Sequence, residues 1–396
     1  MNIVMIGPFA FQPKGTVSVR AFFMARALVG RGHRVTILMP PYDHLADSGR
    51  TWEQEGVVLE NATLRRNDLW RQIAVPMALA RRATHLAPDL VHVFKPIGYS
   101  GLTGLYLRLF SRRPLVLDTD DWEGAGGWIE ANPYPAAWKR FFAWQERWMA
   151  RHADAVTVAS RTLQTQVWGL GVDPERVLYA PNGPDVHGRD AEPVSAEEIR
   201  QIRQDLGVGE APLALYLGHI PHGSDLDLAL EAWARLGDRL PEGARLVIAG
   251  VGDGLPALQA AARQWGIADR VGFPGWIDRD RAAFYLSAAD LIVNPYRDTL
   301  INRAKCAGKG VQAMALGKAV LTSRVGENLE YIEHRRSGLL AEPGDVDDLA
   351  RLLLEALSDR TLTTTLGLNA RQRIWERYDW DARIGAVEQL YQSVRA

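Results

Sequence analysis

The feature that most limits the fold of this chain is a regular alternation of apolar, strand-like segments with segments of helical spacing. Residues 2–7 and 34–39 have the pattern of buried strands, and residues 18–31 between them place apolar side chains at helical intervals. Further strand-like segments lie at residues 89–94, 114–118, 153–159 and 176–180. Strands that alternate with helices form parallel sheets with helices on both faces. The pattern therefore predicts an α/β fold with a doubly wound parallel sheet.

The alternation is interrupted at the turn-forming residues PNGP, 181–184, and in the polar stretch that follows them to residue 193. It resumes with strand-like segments at residues 212–217, 244–249, 270–273, 289–293 and 318–322. Because a chain of 396 residues is too long for one ordinary core, we expect two Rossmann-like domains that face a central cleft. The predicted boundaries are residues 1–185 and 186–375, with a last helix over residues 376–396 that returns to the first domain.

The composition argues against several classes of protein. A net charge of −1 provides no basic field for nucleic acid. No apolar run approaches the length of a membrane span, and no basic segment precedes the first apolar run, so we expect neither a membrane-spanning helix nor a signal peptide. The single cysteine, Cys306, cannot form an intramolecular disulfide, which fits a reducing compartment. We therefore expect a cytoplasmic protein that does not bind nucleic acid.

The ligand is expected at the carboxyl ends of the parallel strands. The first strand is not followed by the G-x-G-x-x-G sequence of nicotinamide-binding proteins, which weakens an oxidoreductase interpretation. Residues 302–345 instead combine the cations Arg303, Lys305 and Lys309 with two predicted helix starts, the second at Gly326. Helix N-termini and cations both attract anions. This segment therefore predicts an anion pocket at the edge of the second sheet.

Several blocks of sequence resemble the retaining glycosyltransferases of family 4, in that family's order and over nearly the whole chain. The blocks are GPFAFQPKG at 7–15, HADAVTVASRTL at 152–163, VLYAPNGPDV at 177–186, LYLGHIPHG at 215–223, RLVIAGVGDG at 245–254 and VQAMALGKAVLTSRVGENLEYI at 311–332. The resemblance implies a GT-B type architecture in which the second domain binds a nucleotide-diphosphate sugar and the first binds the acceptor. It also implies that protein cations and helix dipoles, without a required metal or other cofactor, balance the charge of the leaving group.

The sequence departs from the family pattern at the usual active-site positions. His219 and Ser224 replace the arginine and lysine of the first donor-domain loop, and Ala304 and Gln312 replace the usual pair of glutamates. Asp120 stands where the family commonly has a histidine. Three interpretations remain open: a divergent active enzyme that uses other cations, an enzyme whose donor is not a sugar nucleotide, and a non-catalytic homologue that binds sugar or nucleotide as the partner of another glycosyltransferase.

We predict a retaining glycosyltransferase in which Lys309 and Arg303 meet the diphosphate and Asp120 faces the acceptor. The predicted acceptor is a saccharide, a lipid-linked sugar or a small molecule. The residues predicted to bind the donor are Gly15, Thr16, His219, Lys305, Gln312, Gly326, Glu327, Asn328 and Glu330. Each has a structural alternative, such as an ordinary βα turn, a solvent-facing side chain or an acidic first helical turn.

The predicted helix over residues 133–151 is rich in aromatic side chains and cations. They are Trp138, Phe141, Phe142, Trp144 and Trp148, with Lys139, Arg140, Arg147 and Arg151. Such a helix either packs on the first sheet or contacts a membrane or a lipid-linked acceptor. The aromatic residues cover too much of the helix for a clean interfacial face, so we favour packing. Peripheral contact with the inner face of the membrane is the alternative.

Overall fold

The structure is a computed structural model that describes residues 1–12, 15–42, 44–64, 71–184, 194–306 and 308–395. The chain divides into two compact units. Unit 1 comprises Met1–Gly183, Arg303–Cys306 and Tyr378–Ala396, and unit 2 comprises Pro184–Asn302 and Ala307–Arg377. The predicted α/β class, with two domains each built on a largely parallel sheet, is confirmed. Most of the predicted linker, residues 185–193, lies outside the described residues.

The sheet of unit 1 contains the eight strands β1 Asn2–Ile6, β2 Arg34–Met39, β3 Thr51–Gln54, β4 Val57–Asn61, β5 Leu90–Phe94, β6 Leu115–Thr119, β7 Ala155–Val158 and β8 Val177–Tyr179. Their order is β3-β4-β2-β1-β5-β6-β7-β8. Neighbouring strands are parallel except that β3 pairs antiparallel with β4. Sequence reasoning missed this hairpin because the edge strand β3, TWEQ, carries only one apolar residue.

The helices that cover this sheet are α1 Phe22–Gly30, α2 Arg71–His85, α3 Gly98–Phe110, α4 Trp128–Ala131, α5 Ala136–His152 and α6 Arg161–Gly169. The helix predicted over residues 18–31 is divided, because a π-helical turn, Thr16–Ala21, precedes α1. Arg20 in this turn is only 1% exposed, so the turn directs a cation into the core. Short π segments of this kind often lie at functional sites.

The sheet of unit 2 contains the strands β9 Leu213–Leu217, β10 Arg245–Ala249, β11 Val271–Gly275, β12 Leu291–Asn294, β13 Ala319–Ser323 and β14 Leu339–Ala341. Their order is β11-β10-β9-β12-β13-β14, and all pairs are parallel. After β9, the chain adds β10 and β11 on one side of that strand and then β12, β13 and β14 on the other side. The strand order therefore reverses between β9 and β12. In open parallel sheets, ligands bind at the carboxyl ends of the strands where the order reverses.

The remaining helices before the last one are α7 Ala196–Asp205, α8 Leu226–Leu236, α9 Leu255–Gln264, α10 Arg279–Ala288, α11 Leu300–Ala304, α12 Gly308–Ala315, α13 Asn328–Tyr331, α14 Val346–Ser358 and α15 Arg360–Arg377. Sequence reasoning missed α7, although Ser195 and Glu198 form a capping box at its start, which is a readable signal. The apolar core of unit 2 includes the fully buried Trp233 of α8.

The last helix, α16 Trp380–Ser393, belongs to unit 1. Its buried side chains, among them Ile384 and Tyr391, join the core formed by β1, β2 and α1. The predicted return of the C-terminal residues to the first domain therefore corresponds to an element of the unit 1 core. Among the described residues, no helix combines the length and the apolarity that crossing a bilayer requires.

Candidate functional site

The π-helical turn is attached to the end of β6 at two points. The Thr16 hydroxyl donates to Oδ2 of Asp120 at 2.7 Å. Arg20 donates from Nε and Nη2 to the two carboxylate oxygens of Asp118, at 2.8 and 2.7 Å. Asp118 lies within β6 and Asp120 directly follows it, and both contact this one turn. Thr16 and Asp120, which the sequence nominated separately, therefore lie together in unit 1.

The Arg20–Asp118 pair is a buried structural link, with side chains 1% and 0% exposed. Nη1 of Arg20 also donates to the Ala180 carbonyl at 2.8 Å and to Oδ1 of Asn182 at 2.9 Å. Burial lowers the pKa of Arg20, but the charge and hydrogen bonds of Asp118 raise it to a net value above the ordinary one. A buried pair of this kind has its partners fully engaged, so it orients the turn and is not itself available to a ligand.

Lys95 stands directly after β5 and lies among three carboxylates. Its Nζ is 2.7 Å from Asp121 Oδ2, 3.0 Å from Glu123 Oε1 and 3.3 Å from Asp120 Oδ1. Burial lowers the pKa of Lys95, whereas the charges of Asp120, Asp121 and Glu123 raise it well above its ordinary value. Lys95 is therefore an ammonium at neutral pH, and the cluster retains more carboxylates than cations. Nothing in the sequence had pointed to Lys95.

Asp120 is ionised in this setting. Burial raises the pKa of Asp120, but the charge of Lys95 and the hydrogen bond from Thr16 lower it below its ordinary value. A carboxylate with a lowered pKa is a weak general base near neutral pH. Of the two roles considered for Asp120, accepting a proton or holding a sugar hydroxyl, this environment favours the second.

A protonated carboxyl group lies behind this cluster. Glu146 of α5 accepts a hydrogen bond at Oε1 from the backbone N–H of Glu123, at 3.2 Å. Burial raises the pKa of Glu146 to about 8; the two backbone hydrogen bonds that it accepts oppose this rise, and the nearby charge of Glu123 adds to it. Glu146 therefore holds a proton at neutral pH. Sequence reasoning missed it, because a glutamate among aromatic residues gives no signal of burial.

A second buried polar chain joins α16 to β6. Burial lowers the pKa of His92 to about 3, so its ring is neutral. The hydroxyl of Thr157 donates to Asp118 at 2.5 Å and so accepts from Nε2 of His92, at 3.1 Å. Nδ1 of His92 then accepts from the hydroxyl of Tyr391, at 2.6 Å. This network sets the tautomer of the ring and holds α16 to the centre of the sheet.

In unit 2, three glycines hold the loop that follows β9. A Cβ atom at Gly250 would lie 1.7 Å from the Gly218 carbonyl oxygen, and one at Gly252 would lie 2.1 Å from that of Ile220. A Cβ at Gly254 would lie 2.2 Å from the carbonyl oxygen of Pro221, the residue after Ile220. Only glycine permits this approach of two backbones. The spacing GVGDG was visible in the sequence, but its packing role was not.

Lys309 of α12 reaches the same corner. A side-chain carbon at Gly218 would lie 3.1 Å from both Cε and Nζ of Lys309, and 2.8 Å from the hydroxyl of Tyr216. That hydroxyl donates to the His219 carbonyl at 2.8 Å. Because Gly218 has no side chain, there is a space beside its Cα atom, and the Lys309 ammonium borders that space. The structure brings Lys309 and the His219 loop together at the end of β9, and Gln312 lies half-buried one turn further along α12.

Arg303 and Lys305 belong to unit 1, whereas Lys309 and Gln312 belong to unit 2. The Lys305 ammonium lies 5.1 Å from the centroid of the Trp128 ring. The neighbouring Cys306 accepts a hydrogen bond at Sγ from the backbone N–H of Asn182, at 3.3 Å. The segment around Arg303 is thus held within unit 1, and the predicted cations are divided between the two units.

The predicted anion-binding turn over residues 326–330 is a glycine-dependent turn followed by α13. Gly326 has a φ of 50°, a left-handed conformation that favours glycine. The side-chain amide nitrogen Nδ2 of Asn328 donates to Thr322 Oγ1 at 2.9 Å and to the Ser323 carbonyl at 3.1 Å. This amide therefore ties the turn to the end of β13. Donor binding by Gly326, Glu327, Asn328 and Glu330 stays a prediction.

A further group that sequence reasoning missed is a clamp on the loop after β12. Arg297 lies 2.7 Å from Asp227 and 3.0 Å from Asp225, both at the start of α8. Asn302 donates to Asp225 at 2.7 Å. The clamp fixes the chain that leads into α11. Among the described residues, no group of three His, Cys, Asp or Glu side chains is arranged to hold a metal ion.

Models of two protein families match the chain. Residues 198–373 match the glycosyl transferases group 1, and residues 15–183 match the glycosyl transferase 4-like domain. The two matched segments include most of both units.

Curated proteins that are similar to part of the chain include two glycosyltransferases. One is the GDP-mannose-dependent alpha-(1-6)-phosphatidylinositol monomannoside mannosyltransferase of Mycobacterium tuberculosis, 28% identical over 231 residues, which are 58% of this chain and 59% of that protein. The other is the 2-deoxystreptamine glucosyltransferase of Streptomyces kanamyceticus, 28% identical over 215 residues, or 54% of each. The chain thus spans a little over half the length of these curated relatives.

Among solved structures, the Anabaena protein HepE, crystallised with UDP and glucose, resembles this chain with a TM-score of 0.77. The likeness covers 99% of this chain and 100% of HepE at 19% sequence identity. At this identity the likeness shows a shared fold.

Proposed function

Because the chain belongs to the group 1 glycosyltransferases and has their GT-B fold, we propose that it transfers a sugar from a nucleotide-diphosphate donor to an acceptor hydroxyl, with retention at the anomeric carbon. The observation that carries the proposal is the position of Lys309, whose ammonium lies beside Gly218 at the carboxyl end of β9. The name of one relative includes GDP-mannose, and HepE was crystallised with UDP, which supports a donor of this class.

Lys309 would balance the charge of the leaving group. When a nucleoside diphosphate departs, negative charge develops on its phosphate oxygens, and a nearby ammonium stabilises that charge. Lys309 stands in the first turn of α12, whose N-terminus carries partial positive charge. It would therefore take over the role of the arginine and lysine that the family usually has where this chain has His219 and Ser224. Arg303 and Lys305 stay candidates for stabilising the same negative charge on the leaving phosphate.

Gln312 would contact hydroxyl groups of the donor. It is three residues from Lys309 on the same face of α12. Its amide forms neutral hydrogen bonds, which we expect to be weaker than those of a carboxylate by about 1 kcal/mol. The acceptor hydroxyl would be held by the ionised Asp120. Because Asp120 is a weak base, we assign deprotonation of the acceptor to an oxygen of the departing phosphate, in a front-face displacement.

The test is turnover with a panel of UDP-, GDP- and ADP-sugars, measured as nucleoside diphosphate released with and without a mixture of saccharide acceptors. Lys309→Ala should lower turnover by roughly 10²- to 10³-fold, the range found when one donor to a developing oxyanion is removed. Arg263→Ala, which removes an exposed cation from the same unit, is the matched control. Unchanged turnover in Lys309→Ala, with the fold intact by circular dichroism, would show that the proposal is wrong.

The second candidate is a non-catalytic homologue that binds a sugar nucleotide as the partner of another glycosyltransferase. The observation that favours it is the replacement of the usual site residues by His219, Ser224, Ala304 and Gln312. Calorimetric titration with UDP, GDP and ADP separates the two candidates. Binding of a nucleoside diphosphate without release from any donor would favour the second candidate.

A further inference from the structure

A continuous row of aromatic rings runs along one side of α5. We call it the aromatic ladder, and its members are Trp138, Phe141, Trp144, Trp148 and His152. Successive ring centroids are 6.0, 5.8, 6.2 and 4.1 Å apart. Steps of three and four residues keep side chains on one face of a helix. The ladder therefore forms a single stripe, roughly 21 Å long from Trp138 to His152 at the α-helical rise.

This stripe is partly exposed: Trp138, Trp144 and His152 are exposed, and Phe141 and Trp148 are half-buried. The buried residues of α5 are Gln145, Glu146, Met149 and Ala150. At the helical repeat, Glu146 and Ala150 lie across the helix from the stripe, whereas Gln145 and Met149 lie at its inner edge. Trp138 and Trp144 are 44% and 45% exposed, so the packing of α5 through its buried residues leaves both indoles partly in solvent. Two half-exposed indoles in one row of rings make a contiguous apolar patch, and such patches commonly mark a binding surface.

The exposed charges of α5 itself have one sign. Arg140, Arg147 and Arg151 are exposed, whereas Glu146, the acidic residue of α5, is buried. No ion pair joins Arg140 or Arg147 to a carboxylate within the described part of the chain. The exposed face therefore presents rings interleaved with cations that lack intramolecular counter-charges. A second copy of the same face would bring these cations together, which argues against self-association through it.

We propose that the aromatic ladder is a docking surface for an anionic membrane. Tryptophan rings concentrate at the level of lipid headgroups, and arginine binds phosphate with paired hydrogen bonds. A straight stripe of this length fits a flat interface, where the helix lies in the plane with its rings inserted. Trp138 and Trp144 supply the inserted rings, and Arg140 and Arg147 bind the lipid phosphates. The inference is independent of the proposed donor site, because it rests on α5 alone.

The test uses the full chain in sedimentation with phosphatidylcholine vesicles that contain or lack phosphatidylglycerol. We expect binding to the anionic vesicles, weaker binding as salt rises, and a blue shift of tryptophan emission on binding. Trp138→Ala/Trp144→Ala should weaken binding by about tenfold or more, since two inserted rings are removed. Arg140→Glu/Arg147→Glu should abolish the preference for anionic lipid.

Matched controls remove the same chemistry elsewhere. Trp168→Ala/Trp265→Ala removes two indoles of similar exposure, and Arg239→Glu/Arg263→Glu reverses two exposed cations of unit 2, so both should bind vesicles as the wild type does. The proposal is overturned if the wild type binds no vesicles, if neutral and anionic vesicles bind equally, or if the Trp138/Trp144 variant binds like the wild type. Binding to soluble dextran sulfate without binding to vesicles would assign the face to a polyanion and also overturn it.

Discussion

The hydroxyl of Thr16 donates a 2.7 Å hydrogen bond to Asp120, although the two residues are 104 positions apart in the chain. Together with the nearby Lys95, this bond keeps Asp120 ionised at the end of β6. The loop after β1 and the end of β6 therefore act as one structural element. A ligand bound at Asp120 would meet a carboxylate that is already oriented. Such a carboxylate could hold an acceptor hydroxyl without any rearrangement of the protein.

Asp120→Asn should reduce kcat/KM for the acceptor by about 10- to 100-fold, because a hydrogen bond to a charged oxygen is replaced by one to a neutral oxygen. The KM for the donor should stay unchanged. Asp121→Asn is the control, since Asp121 also contacts Lys95 but lacks the bond from Thr16. The measurement is initial rate against acceptor concentration. An equal loss in both variants would assign the effect to the charge of the cluster and not to Asp120.

Gly218→Ala should weaken donor binding without removing any charge. The added methyl would lie 2.8 Å from the Tyr216 hydroxyl and 3.1 Å from Nζ of Lys309, so the hydroxyl that bonds the His219 carbonyl must shift and the ammonium must give way. We expect the KM for the donor to rise by about tenfold or more, as displaced positioning groups commonly produce. Gly385→Ala, where a Cβ would meet open space, is the control. Wild-type donor kinetics in Gly218→Ala would contradict the placement of Lys309 in the donor site.

Arg20→Met should lower the free energy of unfolding by about 3–5 kcal/mol, because it leaves the buried Asp118 charge without its partner. The double variant Arg20→Met/Asp118→Leu should recover much of this loss, since no unpaired charge remains. Arg82→Ala breaks the exposed pair with Glu60 and should change stability by less than about 1 kcal/mol. Denaturant unfolding measures all three. A double variant no more stable than Arg20→Met would show that hydrogen bonds to Thr157, Ala180 and Asn182 dominate.

Glu146→Gln should make the protein more stable near neutral pH. The folded pKa of Glu146, about 8, exceeds its ordinary value of 4.5, so the folded state binds the proton more tightly than the unfolded state does. The resulting contribution to stability is complete below pH 4.5 and is lost by roughly 1.4 kcal/mol per pH unit as the pH rises toward 8. Glutamine stays neutral throughout, so the variant should lack this slope.

Unfolding at a series of pH values, for the wild type and Glu146→Gln, measures that difference. Glu197→Gln, on an exposed face of α7, is the control and should leave the pH dependence as it is in the wild type. Parallel curves for the wild type and Glu146→Gln would mean that Glu146 is ionised in the folded protein.

The fold was readable from the sequence where the local pattern is strong. Long apolar strands such as β2 and β13, and helices ended by glycine such as α8, have periodicities that hold in any context. Two of the missed strands depend on their neighbours for stability, unlike α7, whose capping box is a local signal. The edge strand β3 forms only because β4 offers a row of backbone partners, and β14, with three residues, is completed by its pairing with β13.

The site was readable in part. The sequence placed Asp120 at the end of a strand and placed Lys309 and Gln312 on one face of a helix, because both placements follow from local geometry. It did not reveal Lys95, which meets Asp120 only through the pairing of β5 with β6. Nor did it separate exposed from buried aromatic residues on α5, since which face packs depends on the elements beneath it.

The sequence by itself determined the two α/β domains, the family, and the residue types at each strand end. Only the tertiary structure decided which of those residues meet: Thr16 with Asp120, and Lys309 with Gly218. The physical reason is that periodicity and propensity act over a few residues, whereas charge, burial and hydrogen bonding act through space. The ionisation of Asp120, the protonation of Glu146 and the exposure of Trp138 and Trp144 all belong to this second group.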